Sequence, residues 1–362
     1  MAEEIYEQLV EALMKRGGAI PPVKCKEFYA LVEELFTNEQ AEVAVNMPMG
    51  PVSAEQIARE TGIPIKEIEP LLEKMADQGL LFSRKKDGVT LYTMLQLVPG
   101  ISEYQFMRGG TTERDKKLAM LFEKMHHVTW GAPEAEKNRP TFPFSRVITI
   151  EENISSGTTV HPYDKVSEYI KGADYIAQGT CFCRHQAELL GNPCDKPKDT
   201  CLTFGPTAQY VDERGIGRLV SKEEAMDILD RSEKAGLVHC SSNVSDRIDF
   251  ICNCCICHCG IIQTFKDKQK INFGAPSNYI VSPVEGACNG CETCIEMCPI
   301  DALFLNDDDA VELDDELCIG CGLCVSACPS NALEMVIRSK PLVPPKSFRE
   351  LMTAVAASTK RQ

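Results

Sequence analysis

No stretch of this 362-residue chain approaches the roughly 18 consecutive apolar residues that a membrane-spanning helix needs, so no span is expected. The first residues, Met1-Ala2-Glu3-Glu4-Ile5, are acidic and lack the apolar core of an export signal, which makes a soluble, cytoplasmic protein the expectation. Basic residues are in deficit: 38 Lys and Arg against 53 Asp and Glu leave a net charge of −15, which argues against nonspecific binding to nucleic acid or anionic membrane. A Gly-x-Gly-x-x-Gly fingerprint and a Walker A loop are both missing, and Gly215-Ile216-Gly217-Arg218 is only a turn signal. No Ser/His/Asp set can be assembled. Cysteine is nearly missing from the first half, where only Cys25 precedes residue 180.

The other eighteen of nineteen cysteines crowd into the second half. In a chain with no export signal, such density points to metal sites or redox chemistry rather than to structural disulfides. Charge is uneven as well. Residues 281–340 hold twelve acidic and two basic residues, a net −10.

The first hundred residues read as mostly helical. Ile5, Leu9, Ala12 and Leu13 recur at helical spacing before Gly17-Gly18 and Pro21-Pro22, and a second helix is expected over 26–46 with Phe28, Leu31, Val32, Leu35 and Phe36 on one face. Ser53-Ala54-Glu55-Gln56 reads as a capping box, and Gly62-Ile63-Pro64 turns the chain into a longer helix ending near Gly79. Leu80-Leu81-Phe82, the turn Lys85-Lys86-Asp87-Gly88 and Val89-Thr90-Leu91-Tyr92 form a β-hairpin. This order resembles a winged helix-turn-helix domain. Glu67, Glu69 and Glu73 outnumber Lys66 and Lys74 on the would-be recognition helix, however. Phosphate and base contacts favour Arg, Lys, Asn and Gln, so docking or dimerisation is expected there rather than DNA binding; Arg84, Lys85 and Lys86 in the wing keep the DNA reading open.

A connector follows, with a helix expected over 112–127 that turns Leu118, Leu121, Phe122 and Met125 inward. His126-His127 at its end is read as surface or helix-capping, and a strand is expected over 146–151. The segment 160–280 has α/β character, with helices over 163–171 and 221–236 (capped by Ser221 and Glu224) and a buried strand at Phe250-Ile251. Prolines 341, 344 and 345 then lead to a short helix over 347–357.

The chemistry is carried by Cys288-x2-Cys291-x2-Cys294-x3-Cys298-Pro299, repeated as Cys318-x2-Cys321-x2-Cys324-x3-Cys328-Pro329. Between the motifs, Ala302-Leu303-Phe304-Leu305 and Ala310-Val311-Glu312-Leu313 flank a turn at 306–309. Asn289, Gly290, Gly320 and Gly322 permit tight loops whose N–H groups can point at sulfur. The segment 284–337 resembles the bacterial two-cluster ferredoxin family. That resemblance implies two [4Fe–4S] clusters and one-electron transfer: Cys288, Cys291, Cys294 and Cys328 on one cluster, Cys318, Cys321, Cys324 and Cys298 on the other. Two closed zinc sites are the competing reading, disfavoured by the interlocked spacing and trailing prolines.

Ten cysteines remain. Cys181-x-Cys183-Arg184 with Cys194 and Cys201 forms a candidate third site, with Arg184 a candidate donor to cluster sulfur or an anionic partner. Cys252-Asn253-Cys254-Cys255-Ile256-Cys257-His258-Cys259 forms a candidate further site, with Cys240 ahead of it beside His239. If the run continues as a strand, Cys252 and Cys254 share one face and Cys255, Cys257 and Cys259 the other. One or two further [4Fe–4S] clusters, structural zinc, and reactive thiols are the three readings; His185, His239 and His258 are candidate ligands or solvated side chains.

Taken together, the chain resembles a group of large cytoplasmic 4Fe–4S binding proteins of anaerobic bacteria and archaea, on Cys181, Cys183, Arg184, Cys252, Asn253, Cys254, Cys255 and the eight ferredoxin cysteines. The expected fold class is α+β and multidomain. A winged-helix-like docking domain occupies 1–100, a helical connector 101–159, an α/β cysteine-rich metal-binding domain 160–280, a ferredoxin-like two-cluster domain 281–340 and a tail helix 341–362. The expected role is electron transfer to or from an oxidoreductase, as a component rather than a catalyst alone. Its redox partner would present a basic face, and the N-terminal domain would serve a homo-oligomer or a larger complex. The alternatives are a redox-sensing winged-helix regulator, and an oxidoreductase with an open site among the upstream cysteines.

Overall fold

The computed structural model describes residues 2–20, 22–131, 140–154, 164–266 and 273–358. Strands are numbered in chain order: β1 Val52–Ser53, β2 Leu81–Lys86, β3 Val89–Met94, β4 Ser145–Val147, β5 Ile176–Gly179, β6 Cys201–Phe204, β7 Arg218–Leu219, β8 Val238–Ser242, β9 Phe250–Cys254, β10 Gly274–Ala275, β11 Tyr279–Pro283, β12 Leu303–Leu305, β13 Val311–Leu313 and β14 Leu333–Ile337. Among the described residues no helix is long and apolar enough to cross a membrane.

The N-terminal third is a helical core with a small sheet ordered β1-β3-β2 on its side. The expected helix over 26–46 is two helices, Lys26–Leu35 and Asn38–Asn46. The break lies at Thr37, whose hydroxyl accepts from Gln40 N at 3.3 Å while Gln40 Oε1 accepts from Thr37 N at 3.0 Å. That reciprocal capping box starts a new helix inside an otherwise continuous apolar pattern. Ser53 caps the Ala54–Thr61 helix through Gln56 N, and Asp87 and Gly88, both at positive φ, make the hairpin turn. The connector divides. Its helix, Glu113–Gly131, adds Leu118, Ala119, Phe122 and Met125 to the N-terminal core, whereas β4 joins the sheet of the middle region. Within that helix His126 turns inward beside Phe122, and burial pulls its imidazole down to about 4; His127 is the one that faces water, against Glu123. The surface reading therefore holds for one of the pair.

The middle region is a sheet of seven strands ordered β10-β4-β8-β9-β6-β5-β7. Every pairing in it is antiparallel except β10 with β4. The strand expected over 146–151 is thus shorter and starts at Ser145; Ile148 and Ile150 follow it into neighbouring cores. The Lys222–Lys234 helix is capped by Ser221 as expected, and the helix expected over 163–171 spans Val166–Gly172, with Tyr163 outside the described residues. The Phe348–Ser358 helix lays Leu351 and Val355 into the core beside Phe144 and Ile148.

The Gly205–Glu213 helix joins the N-terminal third to the middle sheet. Tyr210, fully buried, donates its hydroxyl between the carbonyls of Ala76 and Leu81, at 3.1 and 2.9 Å. Arg214, just past that helix, binds Glu73 at 2.7 Å, Asp77 at 2.9 Å and the Ser83 hydroxyl at 2.7 Å. These are residues of the helix and hairpin that a DNA-binding reading would aim outward. An Arg214→Met substitution strips Glu73 and Asp77 of their shared cation, and about 1–3 kcal/mol of stability should be lost, read as a lower urea midpoint. An unchanged midpoint would refute this account of the joint.

Candidate metal centres

The C-terminal region repeats itself at an interval of 30 residues. Cys288, Cys291, Cys294 and Cys298 stand 30 residues before Cys318, Cys321, Cys324 and Cys328, and the backbone repeats with them. Positive φ recurs at Gly290 (71°) and Gly320 (70°), at Glu292 (61°) and Gly322 (87°), and at Asp301 (56°) and Asn331 (51°). Each fourth cysteine precedes a turn that returns an N–H to its own sulfur: Ala302 N to Cys298 Sγ at 3.3 Å, and Ala332 N to Cys328 Sγ at 3.2 Å. Gly290 N likewise donates to Cys288 Sγ at 3.5 Å. Such N–H groups stabilise negative charge on sulfur.

The repeats interlock. Cys298 from the first motif lines a cleft of about 310 Å³ together with Cys318, Cys321 and Cys324 of the second. Its other walls are apolar, including Val281, Ile300, Leu303, Leu313 and Ile319. Burial pushes the Cys321 thiol up to about 12, and the nearby charges of Cys298 and Cys318 act in the same direction. On the other side, burial and then the charge of Cys328, followed by Cys288 and Cys291, raise the Cys294 thiol. All eight are free thiols. Burial and the repulsion between neighbouring thiolates both oppose ionisation in this cleft, so a cation-rich group that binds thiolate fits this donor set.

The two halves are exposed differently. Cys291 is exposed, whereas Cys318, Cys321 and Cys324 are buried. The reason is a clamp from the middle region: Thr149 Oγ1 donates to Gly320 O at 2.7 Å, Ile150 N to Cys321 O at 3.1 Å, and Asn153 Nδ2 to Gly322 O at 2.9 Å. Gly320 has no room for a side chain, since a Cβ there would lie 2.0 Å from Tyr279 O.

The family model of the 4Fe-4S dicluster domain matches residues 287–332. The chain is an iron–sulfur protein. Two [4Fe–4S] clusters are its cofactors, and its general role is iron–sulfur electron transfer. The match spans the repeat and stops well short of the upstream cysteines. Comparison with curated proteins and with solved structures gave no match.

Upstream, the middle sheet gathers thiols that are far apart in sequence. Cys240 of β8 is paired with Cys252 of β9, and Leu202↔Ile251 registers Cys201 of β6 beside Cys252. Three neighbouring strands therefore carry a row of cysteines on one face, with Cys254 two residues along from Cys252. The thiols of Cys201 and Cys252, of Cys252 and Cys254, and of Cys254 with Cys240 and Cys259 lie near enough to shift one another's ionisation. Cys259 also reaches Cys183, which reaches Cys181. Seven thiols form one group.

This division differs from the sequence expectation in two ways. The chain leaves the strand after Cys254 and turns through Ile256, Cys257 and His258, so Cys259 returns to the face of Cys252 and Cys254 instead of opposing them. Cys194 is brought together with Cys257 and His258, its Sγ 3.2 Å from Cys257 Sγ.

A polar frame supports the group. Arg184, only 1% exposed, donates to Asn253 O at 2.9 Å and to Thr200 Oγ1 at 2.6 Å, and its guanidinium reaches the Cys255 thiol. Asn253 donates to Thr200 O at 2.6 Å, and its Oδ1 lies 2.6 Å from His239 Nδ1; His239 Nε2 lies 2.9 Å from Glu233. Both ring nitrogens of His239 are engaged, as are those of His185 with Glu188 and Gly110 O, so neither histidine offers a lone pair to a metal. Thr200 and Glu233 carried no sequence signal, because neither sits in a cysteine motif. Accepting from Cys201 and then Cys254 pulls the Cys252 thiol down to about 5, and accepting from Cys183 and Cys254 lowers Cys259. The Arg184 Nε–H, buried in this negative setting, has no hydrogen-bond partner among the described residues. An orphaned donor beside several thiols suits an anionic metal–thiolate group.

Asn253→Leu leaves Thr200 O and His239 Nδ1 unsatisfied in the interior. It should cost about 2–4 kcal/mol, seen as a lower denaturation midpoint, and should lower metal content upstream of residue 280 while sparing the C-terminal repeat. Full metal content and stability in that variant would remove the frame from the account.

Proposed function

We propose that this chain is an electron-transfer protein, or the electron-transfer subunit of an oxidoreductase, with three redox sites around one core. The observation that carries the reading is that Cys240, Cys254 and Cys259 of the upstream group pack into the same buried cluster as Cys294, Cys318, Cys321 and Cys324. In this reading Cys288, Cys291, Cys294 and Cys328 hold one cluster and Cys318, Cys321, Cys324 and Cys298 the other, as the interlocked spacing requires. Cys254, the thiol that neighbours Cys240, Cys252 and Cys259, would with three of the other upstream thiols hold a third, with the Arg184 Nε–H as its donor. A bound [4Fe–4S] cluster supplies reversible one-electron chemistry.

The chain's own contribution is insulation at one end and access at the other. The clamp from Thr149, Ile150 and Asn153 and the apolar walls exclude water around the second ligand set. The loop bearing Cys291 faces solvent amid the −10 charge of 281–340, which suits a partner with a basic face. The N-terminal third is read as a winged-helix-like docking domain. Its Glu73 and Asp77 are engaged by Arg214, which weakens the DNA-binding alternative.

Anaerobically prepared protein should contain about twelve irons and as many acid-labile sulfides per chain, and Cys254→Ser should hold about eight. About eight in both proteins would confine the redox function to the C-terminal repeat. Electron-transfer rates to a basic partner should fall as ionic strength rises, because attraction between the docking faces is screened; rates insensitive to salt would remove the charged docking face.

A further inference from the structure

The group at Cys194, Cys257 and His258 belongs to neither the C-terminal repeat nor the seven-thiol face. Its three ligand atoms lie within 4.8 Å of one another, and Cys194 Sγ and Cys257 Sγ are 3.2 Å apart. That closeness separates two kinds of metal chemistry. A cubane places each thiolate on a different iron at an outward corner, so its ligands stand well apart. One tetrahedral ion with Zn–S bonds of about 2.3 Å and Zn–N bonds of about 2.0 Å brings its ligand atoms within about 3.6–3.8 Å of each other. The observed spacing, 3.2 Å between the sulfurs and all three atoms within 4.8 Å, is nearer the second, and the sulfurs would move apart by about half an ångström to hold an ion. Cys255, two residues before Cys257, lies outside this set of mutually close ligand atoms, so the protein supplies three donors and solvent is left the fourth position.

The fold gives this site something to do. Leu190 and the following residues up to Asp199 form no regular element and bury no apolar side chain. What holds the loop is polar: Cys181 N donates to Lys198 O at 2.7 Å, and Lys198 pairs with Glu188. The loop's one soft donor is Cys194, and it meets a turn 63 residues away. That turn is itself braced by Gln263 Nε2 on Cys257 O at 2.9 Å. A metal bridging the two segments would fasten a loop that has no hydrophobic anchor onto the turn that returns Cys259 to the buried thiols.

We infer that Cys194, Cys257 and His258 bind a single thiophilic divalent cation, zinc by donor set, that fastens the loop to the turn. The inference is independent of the third redox site, because it concerns thiols outside the seven-membered group.

The test is zinc and iron analysis of the full chain grown with both metals, together with zinc K-edge absorption spectroscopy. About one zinc per chain is expected, in a shell of two sulfurs, one imidazole nitrogen and one further light donor from solvent. Cys194→Ser and His258→Ala should each lower zinc at least about fivefold while leaving iron content and visible absorbance unchanged, since the clusters do not use these residues. Retained iron also reports that each variant has folded. Three results would each overturn the inference: no zinc in the parent protein, iron lost with Cys194→Ser, or a Cys194–Cys257 disulfide in anaerobically prepared protein. A low iron count with zinc intact would instead count against the third redox site alone.

Discussion

Buried thiols packed against one another are the constraint on which the rest of this structure depends. Seven sulfurs from four separate segments meet on one face of the middle sheet, none in a disulfide. Thiols are weak hydrogen-bonding groups, and thiolates this close repel, so such an arrangement suits a positive group at its centre. The strand order of the sheet, the turn after Cys254 and the buried Arg184 all serve that requirement. Neighbouring strands β6, β8 and β9 each contribute to one row, and the turn adds Cys259 from outside the sheet.

The C-terminal repeat solves the same problem locally. Cys298 of the first 30-residue copy lines a cleft with Cys318, Cys321 and Cys324 of the second, so in the proposed exchange of fourth cysteines each ligand set closes only when both copies are folded. The exchange also explains the asymmetry. One copy lies against Thr149, Ile150 and Asn153 and is dry, while the other is left to solvent and acidic charge. The upstream thiols Cys240, Cys254 and Cys259 share one buried core with cysteines of both copies, Cys294 as well as Cys318, Cys321 and Cys324.

The repeat was legible in the sequence because its ligands are set by covalent spacing, and the turn glycines lie where positive φ is needed. The hairpins and the caps at Ser53 and Ser221 were legible for the same local reason. What was not legible depends on register between distant strands. Nothing in the chain between Cys240 and Cys252 says that they are paired neighbours, and the alternation rule misassigned Cys259 because it assumed an extended run where the chain turns. Cys194 seemed to belong with Cys181 and Cys183 by proximity in sequence, but its loop folds toward Cys257. Glu67, Glu69 and Glu73 looked like an acidic face on a recognition helix; only the fold reveals that Arg214 answers Glu73. His126 and His127 differ for an equally tertiary reason, the position of Phe122.

The central claim is that the upstream thiols and the C-terminal repeat form one redox unit. A reductive titration that counts electrons taken up per chain tests it most directly, with the parent protein and Cys254→Ser measured side by side. The account predicts about three electrons for the parent and about two for the variant, one for each cluster. About two electrons in both proteins would contradict it.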